Sequence, residues 1–166
     1  MVDHEREPAE TQAGPENLVI RPAERADVPA IVALFAADDV GGHGDTADEA
    51  ALPDYMAAFD RIAASPADRL FVAEMGGVVV GTFQTTLTPM MTGRGRLVMT
   101  VEGVQTRADR RGLGIGAAMM RHAVALAREA GAGLVQLSSN ARRTDAHRFY
   151  ERLGFEKSHA AFKMKL

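Results

Sequence analysis

The 166-residue chain contains no cysteine, which excludes disulfide bonds, thiolate zinc sites, iron–sulfur clusters and cysteine nucleophiles. It also lacks an excess of one charge, because 19 basic and 22 acidic side chains leave a net charge of −3. This balance gives no reason to expect nucleic acid or an anionic membrane as a partner. No apolar run approaches the ~18 residues of a membrane span, and the first residues lack a signal-peptide core. We therefore expect a soluble cytoplasmic protein.

One folded domain behind a polar tail is the expected organisation. Residues 1–16 are charged and poor in apolar side chains, so they cannot bury enough surface to offset the entropy of ordering. We predict that they form a disordered tail. Residues 17–166 carry strand and helix patterns without repeats or low-complexity stretches, and their number suits a single domain.

Strand patterns and helix patterns alternate through this domain, with Asp27 placed to cap the first helix. Two runs of β-forming residues separated by Gly76 and Gly77 indicate a hairpin. The predicted elements are strand 17–21, helix 28–38, helix 52–64, strands 70–75 and 78–87, strand 98–106, a long helix to about residue 130, a short buried strand 134–137, helix 144–153, and one or two strands in 155–166. This order indicates an α/β fold in which helices cover a mixed sheet.

The most informative segment is residues 110–116 (RRGLGIG), between a predicted strand and the long predicted helix. Glycines let the backbone approach a ligand closely, and unpaired N–H groups at a helix start point outward with the positive end of the helix dipole. Two arginines add charge-assisted hydrogen bonds to phosphate oxygens. The segment therefore suits a pyrophosphate, although the same residues also fit a solvated loop.

Two common phosphate-binding motifs fit this segment poorly. A Walker-type loop ends in Gly-Lys-Ser/Thr, and the segment has no lysine. The dinucleotide fingerprint fits loosely at Gly112, Gly114 and Ala117, but the next strand ends in Ser138 and Ser139. An acidic residue that could bind a ribose is absent there. Each motif therefore explains the segment poorly.

The same residues resemble the Gcn5-related N-acetyltransferase (GNAT) superfamily. Its signature, Arg/Gln-x-x-Gly-x-Gly/Ala, is matched by Arg111, Gly114 and Gly116. Residues 145–155 (DAHRFYERLGF) resemble the family's Ala-x-x-x-Tyr-x-x-x-Gly-Phe block at the expected distance from the turn. The resemblance covers about residues 17–166. It implies a single-domain α/β fold with a mixed, mostly antiparallel sheet, a splayed central strand pair and flanking helices.

By this resemblance the chain uses acetyl-CoA as co-substrate, and the pantetheine arm lies against the strand before the turn. Backbone groups of Val104 and Thr106 would contact that arm. The pyrophosphate would be held by Arg111, Gly112, Leu113, Gly114, Ile115 and Gly116. A β-bulge near Gly103 would expose the necessary main-chain groups, and a packing role for this glycine is an equal alternative.

One position departs from the family's pattern. Many relatives carry an asparagine that contacts the cofactor arm three residues before the alanine of the second block, where this chain has Arg143. Asn140 lies three residues earlier. We assign Asn140 as a candidate cofactor contact, with the alternative that its role is missing from this chain.

Acetyl transfer to an amine requires a neutral amine and a proton for the departing thiolate. An alkyl amine of pKa ~10 is more than ~99% protonated at pH 7, so a base is useful. The resemblance points to Glu102, four residues before Thr106, as that base, and strand alternation would place it on the face of Thr100 and Val104. It also points to Tyr150 as the general acid. The alternatives are a surface glutamate paired with an arginine and a packing tyrosine.

Two loops are candidates for the acceptor side. Six acidic residues without an intervening Lys or Arg would attract a cationic amine, unless they only form a solvated loop; they are Asp38, Asp39, Asp45, Asp48, Glu49 and Asp54. His43 in the same region could be a second base or plain surface. Met90 and Met91 could shape the acceptor site or pack against a second subunit. The resemblance implies a homodimer, and because the histidines lack metal-ligand spacing we predict no metal.

The leading hypothesis is an acetyl-CoA-dependent N-acetyltransferase acting on a primary amine of a small molecule or peptide. A sensor or regulatory domain that binds acyl-CoA without turnover is the alternative from another class. A third hypothesis is a transferase of longer acyl chains. Glu102 and Tyr150 discriminate the first two, because a protein that only binds the cofactor needs neither residue.

Overall fold

The computed structural model describes residues 14–40 and 44–166, and its central feature is one five-stranded sheet. The strands are β1 (Leu18–Pro22), β2 (Asp68–Met75), β3 (Val78–Pro89), β4 (Leu97–Thr106) and β5 (Leu134–Leu137). The helices are α1 (Val28–Ala36), α2 (Leu52–Ala64), α3 (Thr92–Gly95), α4 (Ile115–Glu129) and α5 (Thr144–Arg152). Single 3-10 turns lie at Arg25–Asp27, Glu49–Ala51 and Ala108–Arg110.

The strands follow one another in the sheet in chain order. Successive pairs are antiparallel except β4 and β5, which run parallel. β5 pairs with β4 only over residues 98–101, and β4 continues to Thr106 without β5 beside it. The two strands therefore separate at Val101, and the predicted mixed, mostly antiparallel sheet is confirmed.

The core lies between the sheet and α4. Phe71 of β2 and Phe83 of β3 stack with ring centroids 4.9 Å apart, under the ring of His122 on α4. Ile115 and Met119 of α4 are fully buried against the same cluster. Packing of this kind fixes α4 on the sheet, so the start of α4 is held at the end of β4.

The first helix begins as the sequence predicts, with Asp27 at its N-cap and Pro29 in its first turn. The Asp27 carboxylate, however, makes no capping bond within α1. It accepts two hydrogen bonds from the Arg21 guanidinium, at 2.7 and 3.0 Å, and one from the N–H of Glu24 at 2.7 Å. Asp27 therefore ties β1 to the start of α1.

Two expectations about secondary structure are wrong. Residues 134–137 form a strand, but it is not buried, because β5 is an edge strand whose Leu134 and Gln136 are exposed. Residues 155–166 form no strand, since a strand exists only when another strand supplies its hydrogen bonds.

The expected disordered tail, residues 1–16, falls mostly outside the described residues. Its described part, residues 14–16, lies near α4: a Cβ built on Gly14 would be 3.3 Å from the side chain of Ala118. The expectation of disorder therefore stays a prediction. Among the described residues, no helix combines the length and the apolar character needed to cross a membrane.

Candidate active site

The glycine-rich segment forms the connection from β4 to α4. Gly114 is the N-cap of α4, and the first helical hydrogen bond runs from the N–H of Ala118 to the carbonyl of Gly114, at 3.0 Å. In the described part of the chain, the N–H groups of residues 112–117 donate to no acceptor. These groups lie at the positive end of a four-turn helix, which is the arrangement that binds phosphate groups.

The three glycines of this turn are needed for two different reasons. Gly112 and Gly114 have φ angles of 79° and 81°, which side-chain-bearing residues rarely adopt. Gly116 is instead a point of close approach, because a Cβ there would lie 3.3 Å from the ring of Phe149 on α5 and 3.8 Å from the hydroxyl of Thr106. The turn thus leaves its backbone bare while it packs α4 against α5.

Positive charge surrounds the free N–H groups. The side chains of Arg110 and Arg111 are exposed, and the Nε of Arg111 donates a long hydrogen bond of 3.4 Å to the carbonyl of Thr106. Arg107 is occupied by Asp109, at 2.6 and 2.8 Å. Arg110 also pairs with Asp109, at 3.8 Å. Arg111 is therefore the cation at this turn that is most available to a pyrophosphate.

β4 contains a bulge at Gly103, which is one of the two equal alternatives that the sequence leaves open for this glycine. Thr82 of β3 lies opposite Gln105 and Gln84 lies opposite Glu102, so one residue of β3 faces two residues of β4. Gly103 has φ of 61°, as expected for the first residue of a bulge of the glycine type. The bulge lies just beyond the point where β5 leaves β4, and there the strand has unpaired main-chain groups on its open side.

The bulge also corrects a prediction about faces. Glu102 and Thr100 share one face of β4, as alternation predicts, but Val104 packs against the core cluster of Met99 and Val101 on the other face. The extra residue of the bulge shifts the alternation by one position. Val104 therefore does not lie on the face of Glu102.

Glu102 has the exposure expected of a reacting carboxylate. It is exposed, and its carboxylate accepts no hydrogen bond and joins no ion pair within residues 14–40 and 44–166. The alternative of a glutamate paired with an arginine is thus not observed. On the sheet Glu102 lies next to Gln84, on the face of Thr100.

Tyr150 projects from α5 into an aromatic group. Its ring lies edge-on to Phe149 and Phe155, with centroids 5.0 and 6.0 Å away. Burial raises the pKa of the Tyr150 hydroxyl, and the nearby charge of Arg143 offsets this only in part. The raised pKa keeps the Tyr150 hydroxyl in its protonated, neutral form.

A polar cluster that the sequence does not reveal joins distant parts of the chain near Tyr150. Asp38, just after α1, accepts hydrogen bonds from the guanidinium of Arg143 and, at 2.8 Å, from the side-chain amide of Gln105 in the bulged part of β4. Arg142 adds a bond of 3.4 Å to the carbonyl of Val40. The segment before α5 is thereby tied to the segment after α1, across β4.

The environment of Asp38 explains its ionisation. Burial tends to raise the pKa of this carboxyl, but hydrogen bonds from Arg143, the N–H of Val40 and Gln105 outweigh it and hold the pKa below the usual value. Asp38 is thus an ionised group engaged in the fold. It does not belong to the free acidic rim that the sequence predicts.

The remaining acidic residues of that stretch are mostly free. Asp45 accepts a hydrogen bond from the Tyr55 hydroxyl at 3.0 Å, whereas Asp39, Asp48, Glu49 and Asp54 are exposed. A groove of about 480 Å³ beside α2 has Glu49, Met56 and Asp60 among its lining residues. His43 lies outside the described residues.

Asn140, the candidate cofactor contact, is engaged in its own loop. Its side-chain oxygen accepts the N–H of Arg142 at 3.0 Å, and its carbonyl accepts the N–H of Arg143 at 2.9 Å and contacts the His147 ring at 3.0 Å. These bonds shape the start of α5. A contact from Asn140 to the cofactor stays a prediction.

The fold and the turn define an acetyltransferase-like protein, and comparison with known sequences establishes the class. The Acetyltransferase (GNAT) family matches residues 29–155. The chain therefore belongs to the GNAT acetyltransferase family, and the membership predicted from Arg111, Gly114, Gly116 and the second block is confirmed.

Individual relatives give further context. An aminoalkylphosphonate N-acetyltransferase of Salmonella typhimurium is 48% identical over 56 residues, which cover 34% of this chain and 36% of that protein. The chain thus matches only about a third of the length of this curated relative. A transcriptional regulator from Bacillus halodurans C-125 superposes with a TM-score of 0.86 at 37% identity, covering 90% of this chain and 99% of that one.

A third comparison concerns a structure with bound cofactor. The aminoglycoside N-acetyltransferase AAC(6')-Iy in complex with CoA has a TM-score of 0.74 and 16% identity, over 95% of this chain and 99% of that chain. At this identity the similarity shows the shared fold alone.

Proposed function

We propose that this protein transfers an acetyl group from acetyl-CoA directly to a primary amine of a small molecule or a peptide. The observation that carries the proposal is the row of unbonded N–H groups at residues 112–117, beside Arg110 and Arg111. Family membership supplies the reaction class. Acetyl-CoA is the co-substrate in this family, as the CoA complex of AAC(6')-Iy illustrates.

The cofactor would extend from the turn along the open side of β4. Arg111 and the backbone of residues 112–116 would bind the pyrophosphate, and main-chain groups of Val104 and Thr106 would hydrogen-bond the pantetheine arm. The end of the β5 pairing at Val101 supports this path, because it leaves the edge of β4 beyond residue 101 without a neighbouring strand. The thioester would then reach the region between Glu102 and Tyr150.

In the proposed reaction, Glu102 removes a proton from the ammonium group, directly or through a water molecule. The neutral amine attacks the thioester carbonyl, the C–N bond forms and the C–S bond breaks. Tyr150 donates its proton to the departing thiolate of CoA. Two observations support these roles: the Glu102 carboxylate is exposed, and the raised pKa of Tyr150 keeps its hydroxyl protonated.

The acceptor is proposed to carry a positive charge that the exposed acids of residues 39–54 attract. The relative from S. typhimurium is named for an aminoalkylphosphonate, which supports a small amine as acceptor. We also propose that the protein acts in the cytoplasm, in keeping with the absence of cysteine. The resemblance to the family is the ground for proposing a homodimer.

The test measures release of free CoA from acetyl-CoA across a panel of amines, for wild type, Glu102→Gln and Tyr150→Phe. Rate losses of roughly 10²- to 10⁴-fold with unchanged CoA binding are expected for both variants. Tyr150→Phe should also remove any fall in kcat at alkaline pH that reports loss of the tyrosine proton. Unchanged kcat in both variants would refute the assigned roles.

A non-catalytic acyl-CoA sensor is the second candidate, favoured by the name of the similar structure from B. halodurans, a transcriptional regulator. The same assay discriminates the two functions. Retained binding of CoA with no turnover of any amine would support the sensor. Tighter binding of propionyl-CoA or succinyl-CoA than of acetyl-CoA would indicate transfer of a longer acyl chain.

A further inference from the structure

A row of four polar side chains crosses the sheet on the face that carries Glu102. Its members lie directly opposite one another in successive strands, and they are Asp68 of β2, Thr86 of β3, Thr100 of β4 and Gln136 of β5. We call this set the polar row. It lies beside the proposed base, since Thr100 and Glu102 are alternate residues of one strand. The proposed proton transfers give the polar row no part in the reaction.

Hydrogen bonds hold the side chains of the polar row in place. The hydroxyls of Thr86 and Ser65 donate to the two carboxylate oxygens of Asp68, each at 2.6 Å. The bonds from Ser65 and Thr86 lower the pKa of the Asp68 carboxyl, so this end of the row is an ionised group already occupied by the fold. At the other end, the side-chain amide of Gln136 donates to the hydroxyl oxygen of Thr100 at 3.1 Å.

The end of the polar row at β4 and β5 still has hydrogen-bonding capacity. Because the hydroxyl oxygen of Thr100 accepts the bond from Gln136, the proton of this hydroxyl is left to donate, and the described residues offer it no acceptor. The side-chain carbonyl oxygen of Gln136 receives no donor from them either. Gln136 is exposed and Thr100 is half-buried, so a ligand can reach both. A neutral hydroxyl, which accepts and donates, matches this pair.

The position of Glu102 sets the distance between such a hydroxyl and the reacting amine. Alternate residues of a strand point their side chains to the same face about 6–7 Å apart. An amine beside Glu102 and a hydroxyl beside Thr100 can therefore belong to one small molecule. About four carbon atoms between the two groups span this distance in extended form.

The charge on this face of the sheet disfavours an anionic acceptor. The rows on either side of the polar row consist of Leu70, Gln84 and Glu102, and of Thr88, Val98 and Leu134. The three rows together hold the carboxylates of Asp68 and Glu102 but no lysine or arginine. Arg143, which reaches this region through Asp38, is already paired with that carboxylate. A phosphonate or carboxylate bound along these rows would meet like charge without a compensating cation.

We propose that Thr100 and Gln136 select the acceptor and favour an amine that carries a neutral hydroxyl a few carbon atoms away. The hydroxyl would accept a hydrogen bond from Thr100 and donate one to the side-chain carbonyl of Gln136. This inference rests on the proposed function, because it takes Glu102 as the group beside the reacting nitrogen. It names in addition the residues that recognise the rest of the acceptor, and it separates this acceptor from an aminoalkylphosphonate.

The first experiment compares butylamine with 4-amino-1-butanol, which differ by one hydroxyl, in the CoA-release assay. For the wild type, KM is expected to be roughly 5- to 10-fold lower for the amino alcohol, the effect of a neutral hydrogen bond. Thr100→Val keeps the shape of the side chain but removes its hydroxyl. It should raise KM for the amino alcohol by about the same factor and change KM for butylamine less than about 2-fold. Gln136→Leu should act in the same direction.

Thr88→Val is the matched control for Thr100→Val. Thr88 is an exposed threonine on the same face of the sheet, two rows away from Glu102. Its substitution removes the same hydroxyl and should leave both KM values unaltered, and denaturant unfolding checks that each variant is folded. If Thr100→Val changed KM for the two amines equally, or changed neither, the proposal would be wrong while acetyl transfer itself would stand.

The second experiment measures acceptor binding without turnover. Melting temperatures are recorded with CoA present and with 4-amino-1-butanol, butylamine or 3-aminopropylphosphonate added, because a ligand of the folded state raises stability by mass action. The amino alcohol should give the largest rise in the wild type and lose its advantage over butylamine in Thr100→Val. Equal rises for the three compounds, or the largest rise with the phosphonate, would overturn the proposal. The expected order of binding without turnover of any amine would refute the proposed function and leave the acceptor preference standing.

Discussion

The two sides of β4 are built in different ways. On the α4 side, the candidate cofactor site consists of backbone: free N–H groups of residues 112–117 held by a helix on a buried apolar core. On the α1 side, the proposed acceptor region consists of side chains, namely the free carboxylate of Glu102 and the exposed acids of residues 39–54. The cluster of Asp38 lies on the same side and holds the fold together. A binding site made of backbone groups depends only on the glycines that shape the turn. A site made of side chains can change its substrate when single residues are substituted.

If this contrast is right, substitutions on the two sides should separate cofactor binding from acceptor binding. The largest expected effect is on the cofactor side. Arg111→Ala removes a cation from the phosphate site and should weaken CoA binding roughly 10- to 100-fold, about 1.5–3 kcal/mol for a hydrogen bond to a charged group. Calorimetry with CoA and with pantetheine, which lacks the pyrophosphate, measures the difference.

Arg121→Ala is the control for this substitution. Arg121 lies on α4, beyond the turn that contains Arg111, and is exposed. Its substitution removes the same charge. It should leave the affinity for CoA unchanged. If Arg111→Ala weakened CoA and pantetheine equally, the turn would not be the pyrophosphate site.

The next effect concerns stability on the acceptor side. Asp38→Asn keeps the shape of the side chain but removes the negative charge that pairs with Arg143, and it should cost about 1–2 kcal/mol of unfolding free energy. Asp39→Asn, at an exposed neighbour, should change stability by less than about 0.5 kcal/mol. Denaturant unfolding of both variants measures the contrast.

The pH dependence of this effect has a defined sign. The pKa of Asp38 is lower in the folded protein than its usual value, so the ionised carboxylate stabilises the fold above the unfolded pKa of ~3.9. That contribution is lost as the pH falls through the folded pKa. The stability difference between wild type and Asp38→Asn should be constant above about pH 5 and shrink below about pH 4. A difference that grows on acidification would contradict the assignment.

A smaller effect isolates the role of the glycine backbone. Gly114 and Gly131 have φ of 81° and 74°, and a Cβ at either would meet nothing within 4 Å. Alanine at either position should therefore cost about 1 kcal/mol of unfolding free energy through the left-handed conformation alone. Only Gly114→Ala should also weaken CoA binding, because Gly131 lies at the far end of α4. Equal CoA affinity in the two variants would remove Gly114 from the site.

The features that could be predicted from the sequence are those that depend on residues close together in the chain. The bounds of α2 and β5 and the position of Asp27 at the start of α1 depend on neighbours within a few residues. The structure has them where the local pattern indicates. The family signature at Arg111 is equally local. These features could be predicted because glycine, proline and alternation act over short range.

The missed features depend on residues far apart in the chain. Asp38 and Arg143 are 105 positions apart in the chain. No sequence pattern near either residue indicates that the two side chains pair. The displaced face of Val104 results from the pairing of β4 with β3. Residues 156–166 pair with no strand in the described part of the chain. An alternating pattern indicates that a segment can form a strand, but it does not identify the strand with which the segment pairs.

The smallest expected effect tests whether the exposed acids on the α1 side attract the acceptor. Asp48→Asn with Glu49→Gln should raise KM for a cationic amine roughly 2- to 5-fold at low salt, with kcat unchanged, because only the approach of the substrate is affected. At about 0.5 M salt the difference should vanish, since screening shortens the range of such fields to a few ångströms. Glu129→Gln with Glu151→Gln removes the same charge elsewhere on the surface and should leave KM unaltered. An equal rise in both double variants would mean that net charge, rather than this loop, governs the acceptor side.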